Sequence, residues 1–177
     1  PKGMFSGAKN LVKVVLPSCL QEVSENCFSG CKGLVDVTIP ASVTIIKNEA
    51  FQDCESLAAI TLPAGLKTIS NEAFERCKSL VSIQLPNGIN DIAPQAFSKC
   101  KALKSINIPS GTKKIGGSAF QKCSSLREVN LNCPTPPAIA GDTFSGVTAT
   151  FSIPKGTQQA YALDKKWGKV SGFKEKQ

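Results

Sequence analysis

Six phenylalanines fall 23 residues apart, at Phe5, Phe28, Phe51, Phe74, Phe97 and Phe120, and a spacing that regular admits few folds. Other columns keep the same step: Pro17, Pro40, Pro63, Pro86 and Pro109; Cys31, Cys54, Cys77, Cys100 and Cys123; and leucine from Leu11 through Leu34, Leu57, Leu80 and Leu103 to Leu126. Three branched apolar columns run alongside, starting at Val14, Leu16 and Val23. Self-similarity at a fixed period of this length is the signature of a stacked-repeat architecture. One 23-residue unit cannot bury its own apolar side, but stacking turns each column into a ladder inside a shared core.

Within a unit, Leu34-Val35-Asp36-Val37-Thr38-Ile39 alternates over its last four residues and ends at Pro40. Side chains on a strand alternate between faces, so Val37 and Ile39 are expected inward and Asp36 and Thr38 outward. Proline cannot donate to a strand ladder, so it closes the strand at the same point in every unit. The small alanine and large phenylalanine of Ala50-Phe51, with Cys54 following, form the tight turn on the opposite side. The fold class read from this is an α/β but mainly β repeat solenoid, a right-handed superhelix with one parallel sheet of short strands.

In the unit Ile46, Ala50, Phe51, Cys54, Leu57, Ile60, Leu62, Pro63 and Leu66, the pattern resembles the BspA-like leucine-rich repeat. The resemblance runs through the repeats to about residue 131. It continues in the segment Phe151-Ser152-Ile153-Pro154-Lys155-Gly156-Thr157, with Ala160-Tyr161 and Trp167. It implies a protein-binding role at a bacterial cell surface or outside the cell, with adhesion to host matrix proteins as the expected form. The motif is specific for the repeat and not for any ligand.

About six coils are expected over residues 1–131, with residues 132–177 an irregular last repeat and C-terminal cap. The period breaks at Cys133-Pro134-Thr135-Pro136-Pro137, where proline density forbids a regular helix or a central strand. Phe144 returns one residue late, and a strand-like run ends at Pro154. Thr157 is expected to cap a short helix carrying Ala160, Leu163 and Trp167 on one face. Pro1 enters partway through a repeat, so further sequence is expected before it. No run of apolar residues is long enough to span a bilayer, so membrane insertion is not expected.

The chain has no histidine, which removes the commonest general base and the commonest zinc ligand. It has no phosphate-binding or dinucleotide-binding glycine motif, and its carboxylates are scattered over different columns. No enzyme activity, cofactor or metal site is expected. The cysteine ladder lies at a buried repeat position, where cysteine packs as a small hydrophobe. Adjacent ladder cysteines are within disulfide reach at Cα, but parallel side chains do not give the required dihedral, so free thiols are expected. Zinc would want C-x-x-C pairs, and none occurs. Cys27, in the alanine column, is expected buried, while Cys19 and Cys133 lie in turns as the expected reactive thiols.

Two surfaces are candidates for binding. The outward strand positions form a sheet face with Asp36, Thr38, Thr61, Ser82, Gln84, Ser105, Asn107, Arg127 and Asn130 as candidate contacts. A flanking column runs Val12, Val35, Ala58, Val81, Lys104, Arg127. These columns vary while the core columns do not. The face reads as small and polar, without aromatic anchors of the kind that dominate hot spots. The second candidate is a basic ridge of Arg76, Lys78, Lys99, Lys101 and Lys122 beside the cysteines, broken by Asp53 and Glu55. It would suit a sulfated glycan or another acidic polymer; nucleic acid is disfavoured because stacking aromatics are missing. The net charge of +8 is shared between the repeats and a lysine-rich tail from residue 155, which reads as a solvated end. A spacer that displays another domain would need neither surface.

Overall fold

Each unit closes into one turn of a coil, and in the computed structural model, which describes residues 1–170 and 173–177, about seven turns stack into a mainly β parallel solenoid. The phenylalanine column becomes a continuous stack from Phe5 to Phe144, with successive centroids 5.3–5.5 Å apart and rings within 10° of parallel. Phe28, Phe51, Phe74, Phe97 and Phe120 are fully buried, as are Leu34, Leu57, Leu80, Leu103 and Leu126. A further core column, Val43, Leu66 and Ile89, ends at Thr112, whose buried hydroxyl donates to the Ile89 carbonyl.

The outward-facing ladder has short strands β1 (Lys13–Val15) and β3 (Asp36–Thr38), then β7 (Ser105–Ile108), β9 (Glu128–Leu131) and β11 (Thr150–Ile153). Between them it continues as single parallel bridges, Ala59 with Ser82 and Gln84 with Asn107. A second parallel ladder follows each proline turn. It joins β2 (Glu22–Val23), β4 (Ile45–Ile46), β5 (Thr68–Ile69), β6 (Asp91–Ile92), β8 (Lys114–Ile115) and β10 (Ala138–Ile139) in one six-stranded sheet. The single expected sheet is therefore joined by another whose strands have only two residues, too short to show alternation.

The turn edge is built from backbone strain held in register. Two positions per unit take left-handed φ, mostly without glycine: Asn26, Glu49, Glu72, Gln95 and Ser118 in one column, and Asp53, Arg76, Lys99 and Lys122 in the other, at φ 55–61°. A left-handed L-residue costs roughly 1–2 kcal/mol. Here the conformation aims backbone N–H groups at the next turn, where Glu49 donates to the Asn71 carbonyl, Phe51 to Ala73 and Asp53 to Glu75. The pattern recurs 23 residues on, with Glu72, Phe74 and Arg76 donating to Pro94, Ala96 and Ser98.

The cysteine column is tied into the same edge. The thiols of Cys31, Cys54, Cys77, Cys100 and Cys123 donate to the carbonyls of Phe5, Phe28, Phe51, Phe74 and Phe97 at 3.0–3.2 Å. All eight cysteines are free. Cys133, expected as a reactive turn thiol, is instead buried, its thiol donating to the Pro109 carbonyl. It continues the inward alternation of Val129 and Leu131 past the end of β9, so the prolines bend the chain only after it. Burial raises the pKa of Cys77 and Cys100 well above the ordinary thiol value and pushes that of Cys123 up to about 12. One thiol, that of exposed Cys19, is therefore expected to react with an aromatic disulfide reagent in the native protein, and all eight after denaturation. Two or more fast native thiols, or a fast thiol surviving Cys19→Ser, would overturn this assignment.

The last turn is covered on its strand side by residues 154–170 and 173–177. Helix α1 (Gln158–Leu163) leads through a 3₁₀ turn at Trp167–Lys169 to β12 (Phe173–Glu175), which pairs with β11. Thr157 stands at the helix N-cap, but its hydroxyl donates back to Pro154 and makes no cap bond. The buried face also differs from expectation: Ala160 and Leu163 face solvent, Leu163 being 75% exposed, while Tyr161 and Trp167 are buried. Tyr161 is selected because its hydroxyl reaches the Cys133 carbonyl at 2.9 Å while its ring packs on Trp167 and Phe173.

Candidate interaction surface

The solenoid brings the nine outward positions onto one face. Register pairs Lys13 with Asp36, Ser105 with Glu128 and Asn107 with Asn130, so positions 23 residues apart become lateral neighbours. Asp36, Thr38, Thr61, Ser82, Gln84, Asn107 and Arg127 are exposed; Ser105 and Asn130 are half-buried. An amide ladder crosses the turns here, with Asn130 donating to Asn107 at 3.0 Å and Asn107 to Gln84 at 3.4 Å. Asp36 is matched by Lys13 at 2.8 Å. Arg127 is held by its own turn, donating to the carbonyls of Ser124 and Leu126. Beside it a shallow cleft of about 480 Å³ is lined by Lys104, Ser105, Ser125, Arg127 and Glu128.

The flanking column alters the expected character of the face. Val12, Val35 and Val81 are 57%, 49% and 38% exposed, Ala58 is exposed between them, and Val15 stands 67% exposed in the next column. The N-terminal half of the face thus carries an apolar stripe, and the C-terminal half carries Lys104 and Arg127 in line with it. Read one residue at a time, a surface valine means little; neighbouring turns make it a stripe, and contiguous exposed apolar surface marks interaction sites.

The basic ridge is largely neutralised. Arg76, Lys78, Lys99, Lys101 and Lys122 do share the turn edge, but Arg76 makes a bidentate pair with Asp53 at 2.7 Å and a further contact with Glu75 at 2.6 Å. Lys99 pairs with Glu75 at 2.9 Å and Lys78 with Glu55 at 3.0 Å, which leaves Lys101 and Lys122 without a carboxylate partner among the described residues. Sequence reading missed Glu75. It adjoins Arg76 in the chain, and only the left-handed turn at Arg76 brings both toward Lys99.

Arg76 holds the Asp53 carboxyl below its ordinary range, chiefly by the hydrogen bonds it donates, and Lys32 and Lys78 do the same for Glu55. A carboxyl whose folded pKa is depressed stabilises the fold above its unfolded pKa, and that contribution disappears as pH falls through the folded value. Burial and the nearby Glu75 carboxylate raise Glu72, which acts in the opposite sense and is relieved by acid. Asp53→Asn is therefore expected to lower stability by about 1 kcal/mol at neutral pH. The difference from the parent should begin to close as pH falls through 3.8, the ordinary value of the group, and vanish only once pH is below the depressed folded value. Urea titrations across that range check this; a gap independent of pH would show that the pair is not its source.

Comparison with known proteins agrees with this geometry. The family model for the BspA type leucine rich repeat region matches in six copies, over residues 1–127 and 44–158. Among solved structures, a leucine rich repeat protein of T. pallidum superposes with a TM-score of 0.71 at 29% identity, over 85% of this chain and 65% of that one. A leucine-rich repeat protein from Bacteroides ovatus gives 0.55 at 20% identity, over 99% of this chain and 63% of that one. One from Eubacterium ventriosum gives 0.65 at 20% identity, over 80% and 45%. The chain thus spans less than two thirds of the length of each of these three. A search of curated proteins found no match.

Proposed function

The chain belongs to the BspA type leucine-rich repeat family, and from that premise we propose that it is a protein-binding module which works at or outside a bacterial cell surface, its partner a host or companion protein engaged through the sheet face. The family and its solenoid fold are typically non-catalytic. Among the described residues no three His, Cys, Asp or Glu side chains gather as a metal set, and no helix is long and apolar enough to cross a membrane.

The observation that carries the reading is the stripe of Val12, Val35, Ala58 and Val81 set beside the polar columns. Four exposed apolar side chains aligned on successive turns form one patch, and a patch of that kind favours a partner that covers it. The amide ladder from Gln84 to Asn130 supplies donors and acceptors already fixed in place, which lowers the ordering cost of association. Host matrix proteins are the specific partners proposed, on the strength of the family resemblance.

The test is binding of the purified chain to immobilised matrix proteins and sulfated glycans at physiological and high salt. Salt-resistant binding to a protein is expected, weakened at least about tenfold by the Thr61→Glu/Gln84→Glu double substitution and by Val35→Glu. Binding confined to glycans and abolished by salt would transfer the function to Lys101 and Lys122. Silence across the panel would sink the adhesive reading in favour of a spacer.

A further inference from the structure

The hydrogen bonds at the phenylalanine and left-handed positions of the turn edge all run one way, although Ser56, Ser79, Ala102 and Ser125 just beyond donate back to the preceding turn. At each junction from Gly3 onward, backbone N–H groups of one turn donate to carbonyls of the turn that follows. The last regular examples are Phe120 donating to the Thr143 carbonyl at 2.9 Å and Lys122 to the Ser145 carbonyl at 2.8 Å. Phe144 and Gly146 occupy the same two places one turn later. Phe144 continues the ring stack at 5.5 Å, and Gly146 keeps the left-handed φ at 75°. Their N–H groups therefore point beyond the end of the ladder, and among the described residues neither finds an acceptor. Trp167, Tyr161 and Phe173 cover the strand side of this turn over Phe151, and Trp167 reaches the Phe144 ring at 5.9 Å, leaving that ring half-buried.

What lies at that edge is a groove of about 610 Å³. Phe144, Val147, Ala149 and Val170 give it an apolar floor, and Lys166 and Lys169 stand on its rim. No Asp or Glu lines it, and neither lysine has an ion pair among the described residues. The carboxylates nearby are already engaged: Asp142 accepts a hydrogen bond from Ser118 of the preceding turn, and Asp164 accepts from the Lys166 and Trp167 N–H groups. The Phe144 main-chain donor, its half-buried ring and two lysines without an ion pair among the described residues thus border one space, with Gly146 set between its lining residues Ser145 and Val147.

We propose that this groove is a second binding site, separate from the sheet face, which takes an extended acidic-apolar peptide segment of a partner protein. The peptide's carbonyls accept from the Phe144 and Gly146 N–H groups, extending the ladder by the main-chain pairing used in strand addition. An apolar side chain lies on Phe144 and Val147, and a carboxylate meets Lys166 and Lys169. Charge complementarity selects this occupant: a basic peptide would face two lysines and no acid, and a neutral one would leave both unmatched.

Two measurements on the full chain test it. In the free protein, amide exchange at Phe144 and Gly146 should be at least about a hundredfold faster than at Phe120 and Lys122, whose N–H groups are paired. Random peptides of about a dozen residues, displayed on phage, are then selected on the chain. Enriched sequences should place Asp or Glu beside a branched or aromatic residue, slow exchange at Phe144 and Gly146, and lose at least about tenfold in affinity to Lys166→Glu/Lys169→Glu. The Thr61→Glu/Gln84→Glu variant should bind them as the parent does, which separates this site from the sheet face. Slow exchange at Phe144 in the free chain, an empty selection, or peptides indifferent to charge reversal in a variant with the parent's melting temperature would each overturn the proposal.

Discussion

Replacing Phe74 by alanine is expected to lower the free energy of unfolding by about 3–5 kcal/mol. Phe74 is fully buried, between Phe51 at 5.3 Å and Phe97 at 5.5 Å, with rings 6° and 1° from parallel. Truncation would remove a slab from the middle of the stack, and neither neighbour could close the gap, because each is fixed by its own turn. The backbone of Phe74 donates to the Ala96 carbonyl, while its carbonyl accepts from the Cys77 N–H and the Cys100 thiol, so the main chain is held in place around the void. In a repeat array each unit is stabilised mainly by its neighbours. A central loss therefore also weakens coupling between the two halves, and urea unfolding should broaden or divide into two steps. Phe5, at the end of the stack and only partly buried, sets the control: Phe5→Ala should cost much less and leave the transition single. Equal effects at the two sites would mean that the rings do not form a continuous core.

That contrast depends on features unequally visible in the sequence. The period, the inward columns and the alternation around Val37 and Ile39 could all be read directly, because the same constraint is repeated in every unit and the repetition averages out local noise. The second ladder could not: at Thr68-Ile69 or Asp91-Ile92 a strand of two residues has no pattern of its own. The left-handed turns were hidden for a chemical reason. Glycine marks them at Gly3, Gly7, Gly30 and Gly146, but Glu49, Glu72, Arg76 and Lys99 adopt the same conformation because inter-turn hydrogen bonds offset its strain.

The interaction surface was legible as positions but not as chemistry. Outward columns follow from the period, and the structure gathers all nine on one face. Their character depends on side-chain partners set by the stacking. Val12, Val35 and Val81 were visible as a column, but their exposure is set by the packing of each turn, which a single column does not encode. Arg76, Lys78 and Lys99 looked like a basic ridge until the turn geometry delivered Glu75, Glu55 and Asp53 to them. The unused donors of Phe144 and Gly146 have no signal in composition. They are a property of where a directional ladder stops.

Trp167→Ala should produce the second large effect, about 3–5 kcal/mol, concentrated at the C-terminal end. Trp167 is fully buried, touches the rings of Phe144, Phe151, Tyr161 and Phe173, and donates its indole N–H to the Pro137 carbonyl at 2.6 Å. It touches three parts of the chain at once, the proline-rich bend, the end of the phenylalanine stack and the segment after Pro154, which Tyr161 and the pairing of β12 with β11 also tie together. Asp164 fixes its approach by accepting hydrogen bonds from the Lys166 and Trp167 N–H groups, which also hold that carboxyl below its ordinary range. Removing the indole opens a cavity and strands a buried carbonyl, but the loss is local, because the partners of Trp167 lie in the proline-rich bend, the last turn and the segment after Pro154. The expected signature is thus early trypsin cleavage at Lys165, Lys166 or Lys169 with the central repeats still resistant, while Phe74→Ala should expose cleavage sites in mid-array. Trp167→Phe separates the two causes. It keeps most of the packing and gives up the bond to Pro137, so it should cost about 1–2 kcal/mol. If Trp167→Ala melts as the parent does and shows no early cleavage, the stack is closed by something other than this residue.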